Sequence, residues 1–187
     1  MSEELQLFMD DAEERMQKAL DHLKNEFTKI RAGKANPHML DNISVDYYGV
    51  MTPLNQVANI GAPDAKTIVI QPWEKAMIEP IEKAILQANL GFNPANNGEL
   101  IRIIVPALTE ERRRELVKQT KTICENTKVS IRNVRRDTNE EIKRLKKEGL
   151  SEDMAKDAET NVQKLTDDNI NKVDELMDMK EKEIMTI

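Results

Sequence analysis

The sequence predicts an α+β protein: a long antiparallel three-helix bundle made from both ends of the chain, with a small α/β domain inserted between its first and second helices. Three observations predict this. All seven prolines and five of the six glycines lie between Gly33 and Pro106. Because proline interrupts helices and glycine marks turns, a turn-rich centre is set off from uninterrupted flanks. Aromatics make up 3% of the chain and charged residues 33%, a balance that suits long solvated helices better than a β-sandwich. Both flanks carry apolar residues at steps of three or four, the period of one helix face. At 187 residues and 21.4 kDa the chain can bury one ordinary core or two small ones.

In the first flank the seam is Leu5, Phe8, Ala12, Met16, Ala19, Leu23, Phe27 and Ile30, an amphipathic helix of about eight turns. The second helix is expected over 109–148, with Thr109 as N-cap and Glu110 and Glu111 at the positive end of its dipole. Its seam runs Leu116, Thr120, Ile123, Thr127, Ile131, Val134, Thr138, Ile142 and Leu145, and Gly149 supplies a left-handed stop. Such a helix is about 60 Å long. A third starts at Ser151 with Ala155, Ala158, Val162, Leu165, Ile170, Val173, Leu176, Met177 and Ile184 on its seam. The short turn at Gly149 makes the second and third helices antiparallel neighbours, and their narrow stripes need the first helix to close a core.

Residues 1–30 and 107–187 are therefore assigned to the bundle and 31–106 to the inserted domain. In that domain strands are expected over 43–48, 57–60, 67–71 and 101–105, and a helix over 77–90 ending at Gly91. Their topology is left open. The chain crosses between domains near 31–37 (Arg31, Gly33, Lys34, Pro37) and 105–107 (Pro106), where a hinge is a reasonable expectation.

Several function classes are excluded. No stretch approaches the roughly 18 uncharged apolar residues of a membrane span, and the amphipathic pattern begins almost at Met1, so a cytoplasmic protein without membrane contact is expected. The two histidines, His22 and His38, have no ligand-spaced partners, so neither metal nor cofactor is expected. Cys124 lies on or beside the second seam, where packing is its expected role. No phosphate-cradling glycine pattern or nucleophile motif occurs, so no catalytic residue is assigned and the protein is not expected to be an enzyme. Trp73, with Tyr47 and Tyr48, could stack on bases, but core packing is the preferred reading of a single tryptophan.

What remains is charge. The chain carries a formal net charge of −6, yet residues 109–148 hold thirteen basic against eight acidic side chains, while 1–29 hold four against eight and 149–187 five against eleven. Within the basic segment Lys128, Arg132, Arg135 and Arg136 lie within about two helical turns. Charge runs on helices are usually solvated faces with opposite charges three or four residues away, and Arg144 fits that pattern beside Glu140, Glu141 and Glu148. Arg132 does not: at those offsets stand Lys128, Val129, Arg135 and Arg136. Arg135 also lacks an acid there. Like charges at this spacing cost a few tenths of a kcal/mol each, so an anionic partner is expected. The planar guanidinium fork suits phosphate, and the scarcity of aromatics favours reading the shape and backbone of folded RNA over stacking on single strands. The alternatives are pairing with the acidic first and third helices, or a coiled-coil-like adaptor that binds acidic proteins.

The segment Lys128-Val-Ser-Ile-Arg132-Asn-Val-Arg-Arg-Asp137 closely resembles the signature of the ribosome recycling factor family. Lys29-Ile-Arg31-Ala-Gly33-Lys-Ala-Asn-Pro37, Tyr47-Tyr48-Gly49, Thr52-Pro53-Leu54 and Leu108-Thr-Glu-Glu-Arg-Arg-Arg-Glu-Leu116 resemble that family's other segments in the same order. Ser130 and Thr138 stand where alanine is common, and Asn36 where serine is. The resemblance implies an L-shaped, monomeric, non-catalytic factor acting after termination. With elongation factor G and its GTP hydrolysis, such a factor splits the ribosome into subunits and releases mRNA and tRNA. It further implies that Arg132 contacts large-subunit rRNA, supported by Lys128, Arg135, Arg136 and Arg31, and that the 31–37 block is the hinge.

Overall fold

The computed structural model describes residues 3–186. The chain forms two compact units, one from residues up to 32 together with those from 110 onward, the other from 33–109. The division falls two residues later than the sequence suggests at the first crossing and three later at the second.

The first unit contains three helices: α1 (Glu3–Lys29), α3 (Glu110–Lys147) and α4 (Glu152–Met185). Acidic residues occupy the first turn of each and basic residues the last, complementing the helix dipoles. The α3–α4 turn shows why the helices end where they do. Gly149 adopts φ 115°, Leu150 N donates to Leu145 O at 2.9 Å and Gly149 N to Lys146 O at 3.3 Å. This paired Schellman closure satisfies carbonyls that the helix leaves open, and Leu150 packs with Leu145. Ser151 then caps α4 by accepting from Met154 N.

The expected seams face the core, with Phe8, Ala19, Ile123, Leu165, Ile170 and Leu176 only partly buried at their edges, and there are additions. Leu20, Val117 and Cys124 join the core, as do the polar Thr166 and Asn169 of α4. Buried threonines keep their hydroxyls bonded within their own helices: Thr120, Thr127, Thr138 and Thr166 donate to the carbonyls four residues back at 2.8, 3.0, 2.9 and 2.7 Å. That bond makes Thr138 compatible with burial, where an unbonded hydroxyl would be costly. Asn169 likewise donates to Leu165 O at 2.7 Å.

In the second unit a four-stranded antiparallel sheet runs in the order β3 (Ala58–Gly61), β4 (Thr67–Pro72), β6 (Ile101–Ile104), β5 (Pro94–Asn96). A separate hairpin is formed by β1 (Ser44–Tyr47) and β2 (Val50–Pro53). Helix α2 (Ile78–Gln87) contributes Ile78, Ile81 and Ile85 to a core with Ile68, Ile70, Ile101 and Ile103 from the sheet. Pro80 sits in the first turn of α2, where its missing N–H interrupts no helical bond. The two strands not expected from sequence are β2 and β5. Both carry a proline and are largely exposed, so neither shows the apolar alternation of a half-buried strand. The expected helix over 77–90 is shorter at both ends: a 3-10 turn, Lys75–Met77, precedes it, and it stops after Gln87, where Asn89 takes the left-handed φ of 49°.

The hairpin turn is tied to the segment after β4 through Glu74, which accepts from Tyr47 Oη at 2.7 Å and from Tyr48 Oη at 2.8 Å. These bonds hold the Glu74 carboxyl below its ordinary pKa and both phenols above theirs. A carboxylate with a depressed folded pKa contributes stability above about pH 4.5 that is lost as pH falls through its folded value. A phenol with a raised folded pKa contributes below about pH 10 and loses that contribution as pH rises through its folded value. Glu74→Gln keeps an acceptor but does not titrate. The melting-temperature advantage of Glu over Gln is therefore expected to shrink as pH is lowered below about 4.5, and a constant difference would refute the tether's role.

Candidate nucleic-acid interface

The basic cluster lies in the middle of α3, and the structure divides it. Ile131 and Val134 are buried, so the residues between and beside them face outward. Arg132 and Arg136 are exposed, one turn apart on that outer face, and neither has a hydrogen bond or ion pair among the described residues. Glu140, one turn beyond Arg136, makes no ion pair with it. Asp137 is drawn to the other side, where Arg15 of α1 holds it at 2.7 Å. An exposed valine, Val129, extends the same strip.

Lys128 and Arg135 are partly committed elsewhere. Lys128 lies against α4, its side chain only 15% exposed and its Nζ 2.6 Å from Asp174 and 3.4 Å from Glu125. The Asp174 carboxylate raises the Lys128 pKa. This ion pair with α4 largely neutralises the Lys128 charge within the bundle. Arg135 is half-buried and donates to Gln163 Oε1 of α4 at 3.1 Å, a neutral acceptor that leaves its charge uncompensated.

The other arginines of α3 are engaged in the fold. Arg144 binds Glu141, Glu148 and, from α1, Glu4, and lies 5.6 Å over the Phe8 ring. Arg112 pairs with Glu115 and Arg114 with Glu110. Arg113 is buried and donates to the carbonyls of Ile184 and Thr186 at 2.7 and 3.0 Å, closing the end of α4. Sequence reasoning gave Arg113 no such role, because its acceptors lie at the far end of another helix. Among the arginines of α3, those whose side chains have no partner among the described residues are therefore Arg132 and Arg136, flanked by Arg135. Two guanidinium forks one turn apart can engage phosphate oxygens without melting any internal ion pair.

Arg31 is exposed, at the end of the first unit. Gly33, Lys34, Pro37 and Pro106 fall inside the second unit. There Ala35 N donates to Ala65 O at 2.8 Å and Val105 N to Lys66 O at 2.7 Å, so successive carbonyls of one loop hold both chain segments. Pro37 opens a 3-10 turn, Pro37–Leu40, capped by Asn36. Gly33 adopts φ 74°, and a Cβ there would lie 2.5 Å from Leu108 Cγ. Gly33→Ala is expected to destabilise the second unit by about 1–3 kcal/mol through left-handed strain and this clash. Adding Leu108→Ala should recover the clash component but not the strain. Paired urea titrations test this, and an unaltered midpoint in Gly33→Ala would refute it.

Cys124 is buried with its Sγ 3.6 Å from Met177 Sδ, and burial pushes its thiol up to about 11, the opposite of a reactive thiolate. Trp73 departs from the expectation of a core residue. It follows the end of β4, is 61% exposed, and precedes Glu74, the residue to which Tyr48 donates. Among the described residues no group of His, Cys, Asp and Glu could hold a metal ion, and no helix is long and apolar enough to cross a membrane.

Comparison with known proteins agrees with the sequence resemblance. The family model described as ribosome recycling factor matches residues 23–185. The ribosome-recycling factor of Flavobacterium psychrophilum is 58% identical over 187 residues, covering all of both chains. That of Caldicellulosiruptor saccharolyticus is 56% identical over 177 residues, 94% of this chain and 96% of the relative. Among solved structures, a solution structure of a ribosome recycling factor aligns with a TM-score of 0.77 at 43% identity, covering 100% of each chain. A second aligns with a TM-score of 0.62 at 43% identity over 97% of this chain and 98% of the other. It comes from models of the T. thermophilus ribosome recycling factor and E. coli elongation factor G bound to the E. coli post-termination complex.

Proposed function

The chain belongs to the ribosome recycling factor family, and we propose that, with elongation factor G and GTP hydrolysis by that factor, it splits the post-termination ribosome into subunits, freeing mRNA and tRNA. The observation that carries the binding half of this reading is the pair Arg132 and Arg136, exposed on α3 and uncompensated while nearly every other arginine of that helix is engaged. Their partner is large-subunit rRNA, with Arg135 and Arg31 in support and Lys128 contributing mainly to the bundle. The role is mechanical and non-catalytic. α3 anchors the protein while the second unit, pushed by the translocase, turns about the crossings.

The bonds from Ala35 and Val105 to one loop limit where such turning can occur. On this reading the turning takes place about Arg31 and Gly33 on one segment and between Pro106 and Glu110 on the other, outside those two bonds. Lys34 and Pro37 travel with the second unit.

The test is subunit splitting measured by light scattering on post-termination ribosomes, with and without the translocase and GTP. Splitting that requires the chain, the translocase and GTP together is expected, and its absence overturns the proposal. Competition by purified rRNA for binding to large subunits distinguishes RNA recognition from an adaptor that docks on acidic proteins, since both weaken with salt.

A further inference from the structure

The side of the bundle formed by α1 and α4 has a different chemistry from the arginine face. Between the N-terminal halves of these helices runs a groove of about 460 Å³. Its floor is apolar: Leu5 and Met9 from α1, Met154, Ala158 and Leu165 from α4. The groove has a sequence cause. α4 brings two alanines and a valine, Ala155, Ala158 and Val162, into the cluster with Leu5, and the short side chains leave space beside Ala158 that the groove occupies. Both methionines are only partly buried, and their unbranched thioethers let such a surface adapt to different occupants.

The rim carries Asp10, Glu13 and Asp157. All are exposed; Asp10 accepts from Gln6 Nε2 at 2.8 Å, and none of the three has an ion-pair partner among the described residues. An apolar floor with uncompensated carboxylates repels phosphate and favours an occupant with an apolar side chain flanked by cations. The volume admits one or two large side chains, too little for a folded surface but enough for an anchor residue.

We propose that this groove receives a basic amphipathic segment of a partner protein, its apolar anchor seated against Met9 and Met154 and its lysines or arginines facing Asp10, Glu13 and Asp157. The bundle then has two recognition faces of opposite sign, one for RNA backbone and one for a cationic peptide, and the second does not depend on the first.

The test uses the full chain labelled at its methionine methyl groups and titrated with a short helical lysine–leucine peptide. Saturable shifts at the Met9 and Met154 methyls are expected with this peptide and not with its glutamate–leucine counterpart. Glu13→Lys combined with Asp157→Lys should weaken binding by about tenfold or more, while the exposed control Glu175→Lys should not. Both substitutions are on the surface, and an unchanged thermal melt confirms that the variant folds. The proposal is overturned if the two methyls do not respond or if charge reversal leaves binding intact. It is also overturned if the glutamate peptide binds equally well, or if the same methyls shift with protein concentration alone, which would make a second copy of the chain the occupant.

Discussion

Replacing Arg132 with alanine is expected to weaken binding to purified large ribosomal subunits by roughly tenfold or more while leaving helicity and melting temperature unchanged. The size follows from losing a bidentate charge-assisted contact, about 1.5–3 kcal/mol. The unchanged stability follows from the structure: Arg132 is exposed and makes no internal bond among the described residues, and arginine and alanine both favour helices. Removing it also relieves repulsion with Arg136, worth a few tenths of a kcal/mol. Arg132→Lys separates charge from geometry, since an ammonium keeps the charge but not the planar fork; an intermediate affinity is expected. Lys128→Ala supplies a contrast. Its Nζ is held by Asp174 and Glu125, so the larger effect should be on stability and the smaller on ribosome binding. Equal affinity of the wild-type chain and Arg132→Ala for large subunits would remove α3 as the anchor.

That contrast also shows what was legible in the sequence. A helix seam repeats locally, so the three long helices and the class of fold follow from residues three and four apart. The lack of acids beside Arg132 is equally local, and the structure leaves that side chain exposed and unpaired among the described residues. Contacts between helices are not local. The sequence carries no sign that Asp174 reaches Lys128, that Arg15 reaches Asp137, or that Glu4 joins Glu141 and Glu148 around Arg144. Such pairings decide which cations of a basic helix remain available, and of the four candidates on α3 they leave two arginines whose side chains are unpaired among the described residues, with Arg135 beside them. In the second unit β2 and β5 escaped because exposed strands with proline lack the apolar alternation that marks the others. The buried Thr166 and Asn169 escaped because their polarity suggests a surface, whereas bonds to their own helix's carbonyls make burial tolerable.

The residue beside Arg132 should behave in the opposite way. Ile131 is 0% exposed, and successive residues of a helix point about 100° apart, so one step along α3 passes from the outer face to the bundle core. Ile131→Ala is expected to cost about 2–5 kcal/mol, the loss of transfer energy together with the cavity left in a tightly packed interior. The first unit alone should register it. Native-state hydrogen exchange should show faster opening of α1, α3 and α4 with little change in the sheet of 58–104, because that sheet has its own core. Binding per folded molecule should stay near the wild-type value at temperatures where the variant remains folded, since the side chain faces away from any partner. An Ile131→Ala protein as stable as the wild type would contradict the packing described for α3. One that is folded but unable to bind would show that the arginine face depends on core packing beneath it, and would shift the anchor from two exposed side chains to the alignment of the whole helix.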